Sequence, residues 1–354
     1  EARLATSQSQ LEETQSQLAQ ESTKLAQAEV AIENTVAAVT TASFSEPSAA
    51  TTIGGYGELH YNDLDNGEEI DFHRFVMLFS HRFSDTLAFH SELEVEHSLA
   101  GDGKPGEVEV EQAYIQWGYA QDHHAKLGLF LLPIGILNET HEPDNVEKNI
   151  IPATWWEAGL GLSGEIAPGW GYDVAMHSGL KLDTASTSAS RRSSIRSSRQ
   201  KVAEANADSL AYTARLRYSG YPGFQWNTSI QYQSDLAQGD ADTIGIGEIS
   251  GLLFETNVTY QRGGFEMRAL YASWDIDNEI ELLNPGSDEQ TGWYLEPSYT
   301  FENGLGLFVR YGGYDLTAGN SAASDERNQF DFGINYWLHE NVVIKADYQR
   351  QDND

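Results

Sequence analysis

Glu139, His141 and Glu142 crowd into the stretch "ILNETHEPDNVEKNI", followed by Asp144, Glu147 and Lys148. Two carboxylates and an imidazole are plausible ligands for a divalent cation. A loop does not fix their geometry, however, and a cluster of solvated charges accounts for the same residues. The charge-cluster reading is the one adopted, with no resident metal. His123 and His124 fall in a short turn and point to opposite sides if the chain is extended, as expected of a solvated turn. The glycine-rich "GGYGEL" opens a strand and precedes no helix, so it is not a nucleotide fingerprint. The chain contains neither a G-x-S-x-G elbow nor a G-x-x-x-x-G-K-[ST] phosphate loop. No enzyme is expected and no cofactor is implied.

Charge is distributed unevenly. The formal net charge of -33 argues against nucleic acid, whose affinity depends on Lys and Arg neutralising phosphates. Yet residues 178–207 hold Lys181, Arg191, Arg192, Arg196, Arg199 and Lys201, six of the chain's 21 basic residues, among many serines. This basic loop reads either as a solvated connection or as a trap for anions and lipid phosphates. The segment 275–289, "DIDNEIELLNPGSDE", is its acidic opposite.

The elements that must carry these residues follow two different periods. In residues 1–40, Leu4, Leu11, Leu18, Leu25, Ile32 and Val39 recur every seven residues without Gly or Pro, which is one seam of a coiled coil. The second core position is polar, so the helix needs partner chains. Residues 41–51 read as a linker. From Thr52 onward the period is two. Leu93 and Val95 alternate with Glu92, Glu94 and Glu96, and Phe224, Trp226, Ile230 and Tyr232 alternate with Gln225, Asn227, Ser229 and Gln231.

Fifteen such segments start near 52, 70, 86, 107, 123, 156, 170, 209, 224, 250, 264, 290, 304, 328 and 341. Short turns alternate with longer loops at 62–69, 98–106, 133–155, 178–207, 234–249, 275–289 and 314–327. That order is the signature of an all-β, transmembrane antiparallel barrel, with short periplasmic turns at one rim and long extracellular loops at the other. Absent cysteine fits that compartment. Single-chain bacterial barrels have even strand numbers, so a sixteenth strand is expected beyond the fifteen read here. Sixteen strands enclose an aqueous channel.

The stretches "TTIGGYGELHYN" (51–62), "EIDFHRFVMLFSHRFSD" (69–85), "GEVEVEQAYIQW" (106–117), "GLFLLPIGILNETHEP" (128–143) and "NIIPATWWEAGLGLSG" (149–164) resemble bacterial outer-membrane porins related to the phosphate-selective porin O and P family. The resemblance implies a homotrimer of 16-stranded barrels whose third outer loop folds into the pore. Loop 133–155 would then be the constriction, with Glu139, His141, Glu142, Asp144, Glu147 and Lys148 at the narrowest ring, where charge sets ion selectivity. Arg74, Glu92, Glu94, Lys126, Arg215, Arg217, Arg268 and Arg310 would line the lumen. Phosphate-selective members carry a ladder of arginines and lysines; here both signs are mixed, and no residue-by-residue match to the ladder exists.

The functional expectation is passive diffusion of small hydrophilic solutes or ions through the outer membrane. The alternative is a structural protein whose coiled coil, about 57 Å long over 38 helical residues, reaches through the periplasm to the cell wall or a partner.

Overall fold

A computed structural model describes residues 50–64, 67–136, 145–320 and 325–353. The coiled-coil segment 1–40 and most of the linker lie outside them. One compact unit comprises Thr51–His81 with Thr86–Asp354; the other, Glu1–Ala50 with Arg82–Asp85, falls mostly outside the described residues.

Among the described residues fifteen strands follow one another: β1 (Ala50–Leu64), β2 (Gly67–Arg82), β3 (Leu87–Glu96), β4 (Val108–Ala120), β5 (His123–Leu131), β6 (Trp156–Ala167), β7 (Trp170–His177), β8 (Ala211–Tyr221), β9 (Phe224–Gln233), β10 (Gly251–Arg262), β11 (Phe265–Ile276), β12 (Glu289–Thr300), β13 (Leu305–Asp315), β14 (Arg327–His339) and β15 (Val342–Asn353). They form a single sheet in which spatial order equals chain order. Neighbouring strands from β3 to β15 pair antiparallel, as in β10–β11, where Gly251 faces Ile276 and Arg262 faces Phe265. A sixteenth strand is not among the described residues.

The alternation read from the sequence decides which way each side chain points, and it does so inside out. Glu94 and Glu255 are buried at 3% and 0% exposure, while Phe254 and Phe332 are exposed at 40% and 41%. Leu127, Leu160, Ile230, Leu295 and Ile334 are also exposed. In water this arrangement would cost on the order of 25 cal/mol per Å² of apolar surface left uncovered. Against hydrocarbon it costs nothing. Aromatics gather near the short turns: Trp170 packs on Tyr218 and Trp226 at centroid distances of 4.7 and 6.2 Å, and Tyr299 on Phe301 at 4.8 Å. Such rings favour the membrane–water boundary. No helix among the described residues is long and apolar enough to cross a membrane.

Two boundaries differ from the sequence expectation. The supposed long loop 62–69 is mostly strand, since β1 runs to Leu64 and β2 starts at Gly67. Backbone pairing there outruns the apolar pattern, and Asn62 Nδ2 donates to Glu69 Oε1 at 3.0 Å across the hairpin. The linker ends earlier than expected, because Ala50 and Thr51 already belong to β1.

The buried apolar cluster is built between the inward strand faces and four long loops. Leu132, Ile134, Val146, Ile150 and Trp155 come from the β5–β6 loop, Leu180, Leu182 and Ile195 from the β7–β8 loop, Leu236 and Ile249 from the β9–β10 loop, and Ile280 and Leu283 from the β11–β12 loop. They meet Leu253, Ala272, Trp274, Ile276, Tyr294 and Tyr314 of the strands. A short helix α1 (Asn145–Ile150) seats on β12 where Gly292 leaves room: a Cβ there would lie 2.7 Å from Val146 Cγ1 and 2.9 Å from Ile150 Cγ1. Gly292→Val should unseat α1, lowering stability by about 1–3 kcal/mol in urea unfolding and raising single-channel conductance. Unchanged stability and conductance would refute the close-packing argument.

Candidate pore constriction

The β5–β6 connection leaves the barrel wall as a buried strand extension. Pro133 interrupts the ladder, Leu132 and Ile134 are buried, and Leu132 N donates to Trp155 O at 2.9 Å, closing the base of the loop. Ser229 Oγ of β9 holds Pro133 O at 3.2 Å. Gly135, at φ +80°, turns the chain in a conformation that L side chains rarely adopt. After residues 137–144, which lie outside the described set, α1 packs against β11, β12 and β13. Trp274 Nε1 of β11 donates to Ile150 O at 2.8 Å. The loop starts between β5 and β6 and docks on inward residues of strands far along the sheet, so it crosses the interior.

Of the six residues expected at the narrowest ring, Glu139, His141, Glu142 and Asp144 lie outside the described residues. Glu147 is a correction. It is fully buried, not turned to water, and its Oε1 accepts from Ile136 N at 2.6 Å. The turn at Gly135 exposes a backbone donor that only an internal acceptor can satisfy, and Glu147 supplies it. Lys148 is half-buried.

The basic loop also departs from the solvated picture, because three of its four arginines are spent on carbonyls. Arg192 donates from Nη2 to Leu283 O at 2.7 Å. Arg196 Nη1 donates to Lys148 O and Ala153 O at 3.2 and 3.3 Å, and Arg199 Nη1 to Thr154 O at 2.6 Å. Arg199 also lies over the Trp156 ring, 5.9 Å from its centroid. Lys201 Nζ reaches Glu107 at 2.8 Å and bonds Glu109 as well. Arg191 stays outward, 3.3 Å from Asp183. Single polar side chains join the loops further: Gln238 Nε2 donates to the carbonyls of Ser178, Leu180 and Ser209.

These contacts face positive groups toward negative ones. Burial first, then Arg196, Arg199 and Arg74, push the Lys148 ammonium below its ordinary pKa, with Glu96 opposing. Burial pushes Arg196 down to about 10, helped by Arg199, and lowers Arg199 against the attraction of Glu109, Glu111, Glu96 and Glu157. Burial likewise depresses Lys201, but its bonds to Glu107 and Glu109 outweigh this and leave it raised. The acidic side is the wall of β3 and β4, where Glu92, Glu94 and Glu111 are buried and Gln112 Nε2 donates to Glu92 Oε2 at 2.7 Å. Glu107, Glu109 and Glu111 were not singled out from the sequence, although their spacing of two on "EVEVE" is the period that puts them on one face.

The expected lumen cations do not stand as a free ladder. Arg74 lies 3.8 Å from Glu58 and 3.7 Å from Glu94. Arg215 and Arg217 share Asp173 at 2.9 and 2.8 Å. Arg268 pairs with Glu266 at 2.7 Å, and Arg310 Nε donates to Glu296 at 2.6 Å. Lys126 sits over the Tyr114 ring at 5.0 Å.

A barrel of this topology with a loop folded through it defines an outer-membrane channel, and the comparisons agree. Residues 172–354 match the family model for Gram-negative porins, and the chain belongs to that family. An uncharacterized protein of Aquifex aeolicus (strain VF5) is 32% identical over 337 residues, covering 85% of this chain and 76% of that protein. Two solved structures share the fold at 13% identity each. The outer membrane channel DcaP of Acinetobacter baumannii has a TM-score of 0.59, over 88% of this chain and 93% of that one. The trimer form of OmpT, an outer membrane protein of Vibrio cholerae, has a TM-score of 0.56, over 86% and 89%. The chain is thus an outer-membrane β-barrel of the porin class.

The depressed pKa of Lys148 has a stability consequence. The unfolded chain holds the Lys148 proton more tightly than the folded one, so its burden on the fold is full below the folded pKa. Stability recovers as pH rises from there toward the ordinary 10.5. Lys148→Met should raise urea-unfolding stability by roughly 1 kcal/mol at pH 7 and flatten this alkaline gain. A loss of stability at pH 7 would show that the ammonium holds the loop together.

Proposed function

We propose that this chain forms a water-filled channel through which small hydrophilic solutes or ions diffuse passively, with a preference for cations. The observation that carries this reading is the facing of charges across the interior. Lys148, Arg196 and Arg199 lie on the inward loops, the carboxylates of β3 and β4 oppose them, and each lumen arginine named above is answered by a carboxylate. A paired arginine offers little net field to a passing anion, whereas the excess carboxylates attract cations. Phosphate selectivity would require basic groups not answered in this way.

The test is the reversal potential of single channels in a planar bilayer under a KCl gradient. A cation-directed reversal is expected, and Glu92→Gln with Glu94→Gln should lower the cation-to-anion permeability ratio by roughly two- to threefold. An anion-directed reversal with block by low phosphate would overturn the cation reading and restore the phosphate-selective one. Folded protein that forms no channels would overturn the diffusion reading.

The heptads of residues 1–40 add a second reading that the channel does not exclude: a homotrimer whose periplasmic stalk tethers the membrane to the cell wall or a periplasmic partner. The lipopolysaccharide contact expected of the basic loop would fall to Arg191, its outward arginine, in competition with Asp183 at 3.3 Å. Deleting residues 1–40 should leave conductance intact and abolish co-sedimentation with purified cell wall. Loss of conductance on deletion would instead assign the stalk to assembly.

A further inference from the structure

A cluster of imidazoles and carboxylates lies away from the constriction, at the long-loop end of the sheet. Asp71 and His73 are two residues apart on β2, so they share a face, while Phe72 between them and Ile70 before them are exposed. His97 follows the last residue of β3. Its backbone is left-handed, at φ +52°, and so is that of Ser98, at φ +50°. For an L-residue that conformation costs roughly 1–2 kcal/mol. It is anchored by the bond from His97 N to His73 O, 3.1 Å, and it turns the ring back over β2. His97 Nδ1 then lies 2.9 Å from both Asp71 oxygens, and His73 Nδ1 3.4 Å from Asp71 Oδ2. Behind them His60 stacks on His73 at 4.5 Å and meets Glu58 at 3.2 Å.

We propose that Asp71, His73 and His97 form a binding site for a divalent transition-metal ion of the zinc, cobalt or nickel class. The three ligand atoms lie within 4.8 Å of one another. A tetrahedral ion with bonds of about 2.0–2.2 Å needs its ligand atoms about 3.3–3.5 Å apart, so both Asp71–histidine spacings are already close. The imidazole nitrogens approach each other by ring rotation. Two imidazoles and one carboxylate suit zinc, cobalt or nickel; magnesium and calcium prefer all-oxygen sites. Three protein ligands leave a fourth position for water or a passing solute.

The surrounding charge is favourable. Arg74 Nη2 touches His73 Nε2 at 3.1 Å, but Glu58 and Glu94 hold that guanidinium, and Glu96 and Glu69 add negative potential at His97. The metal takes the Nδ1 position that each ring now turns toward Asp71; a neutral ring then carries its proton on Nε2, and a ring that was imidazolium releases one proton to solvent on binding. The site joins the β1–β2 hairpin to the start of the β3–β4 loop, and its occupancy would brace that part of the rim. The competing arrangement is a plain hydrogen-bonded triad in which Asp71 bridges two histidines.

Titrating the folded full chain in detergent with Zn2+ alone, by calorimetry in two buffers of different ionisation enthalpy, separates the two. One ion per chain with proton release is expected, together with the intense visible absorption of four-coordinate Co2+ when cobalt is the probe. His97→Ala and Asp71→Asn should each weaken binding about tenfold or more, whereas His124→Ala, at a short turn, should not. Retained heat-modifiable mobility on gels would show that the variants fold, and His97→Gln substitutes for a variant that does not. Absence of Zn2+ binding, equal binding by His97→Ala, or displacement of Zn2+ by equimolar Mg2+ would each overturn the site in favour of the triad or a diffuse acidic surface.

Discussion

Every backbone N–H and C=O that crosses hydrocarbon must find a partner within the protein, because no water is there to take its place. The rest of this structure depends on that constraint. It forces neighbouring strands into an unbroken ladder, and a chain that meanders up and down satisfies it with the shortest possible turns. Spatial order therefore equals chain order from β1 to β15. Once the ladder is fixed, a period of two sends alternate side chains to lipid and to the interior. Glu94, Gln231 and Glu255 become buried while Phe254, Phe330 and Ile334 are exposed. The low mean hydropathy of the chain follows directly, since half of each strand was never meant for the membrane.

The long loops meet the opposite problem. They leave the ladder and so must satisfy their own backbone. Their solution is to fold back into the barrel and build a second, water-soluble style of core there, with Leu132, Ile150, Trp155, Ile195 and Leu236 packed against Trp274 and Tyr294. The freed carbonyls are met by side chains of high donor count. Arg196 takes two of them, Gln238 three, and Trp274 one. Basic residues that look like a surface patch in one dimension therefore serve as staples. Their charge is retained at the bore, where burial and the acidic β3–β4 wall compete over it.

Most of the fold is legible in the sequence. The fifteen segments read from alternation start within about three residues of the observed strands, because lipid on one side and polar interior on the other leave a clean period of two. The β1–β2 connection was the exception: there backbone pairing continues past the apolar belt, and hydrophobicity no longer marks the strand. The site was legible only in part. Glu92 and Glu94 could be assigned to the inward face by parity alone, and both are buried. Glu147 could not, because in a loop parity carries no information and its partner, Ile136 N, is chosen by the turn at Gly135.

The sequence by itself determined the class of barrel, the strand positions, the sidedness of each strand and the mixture of charges inside, since all of these follow from local period and turn length. The tertiary structure alone decided where the loops go and which charges meet. The docking of α1 on Gly292 and the capture of Thr154 O by Arg199 join segments separated by more than a strand hairpin, and the return of His97 onto Asp71 is set by a left-handed turn past the end of β3. Such contacts are set by which surfaces come together once the ladder has fixed the wall, and no local pattern encodes them.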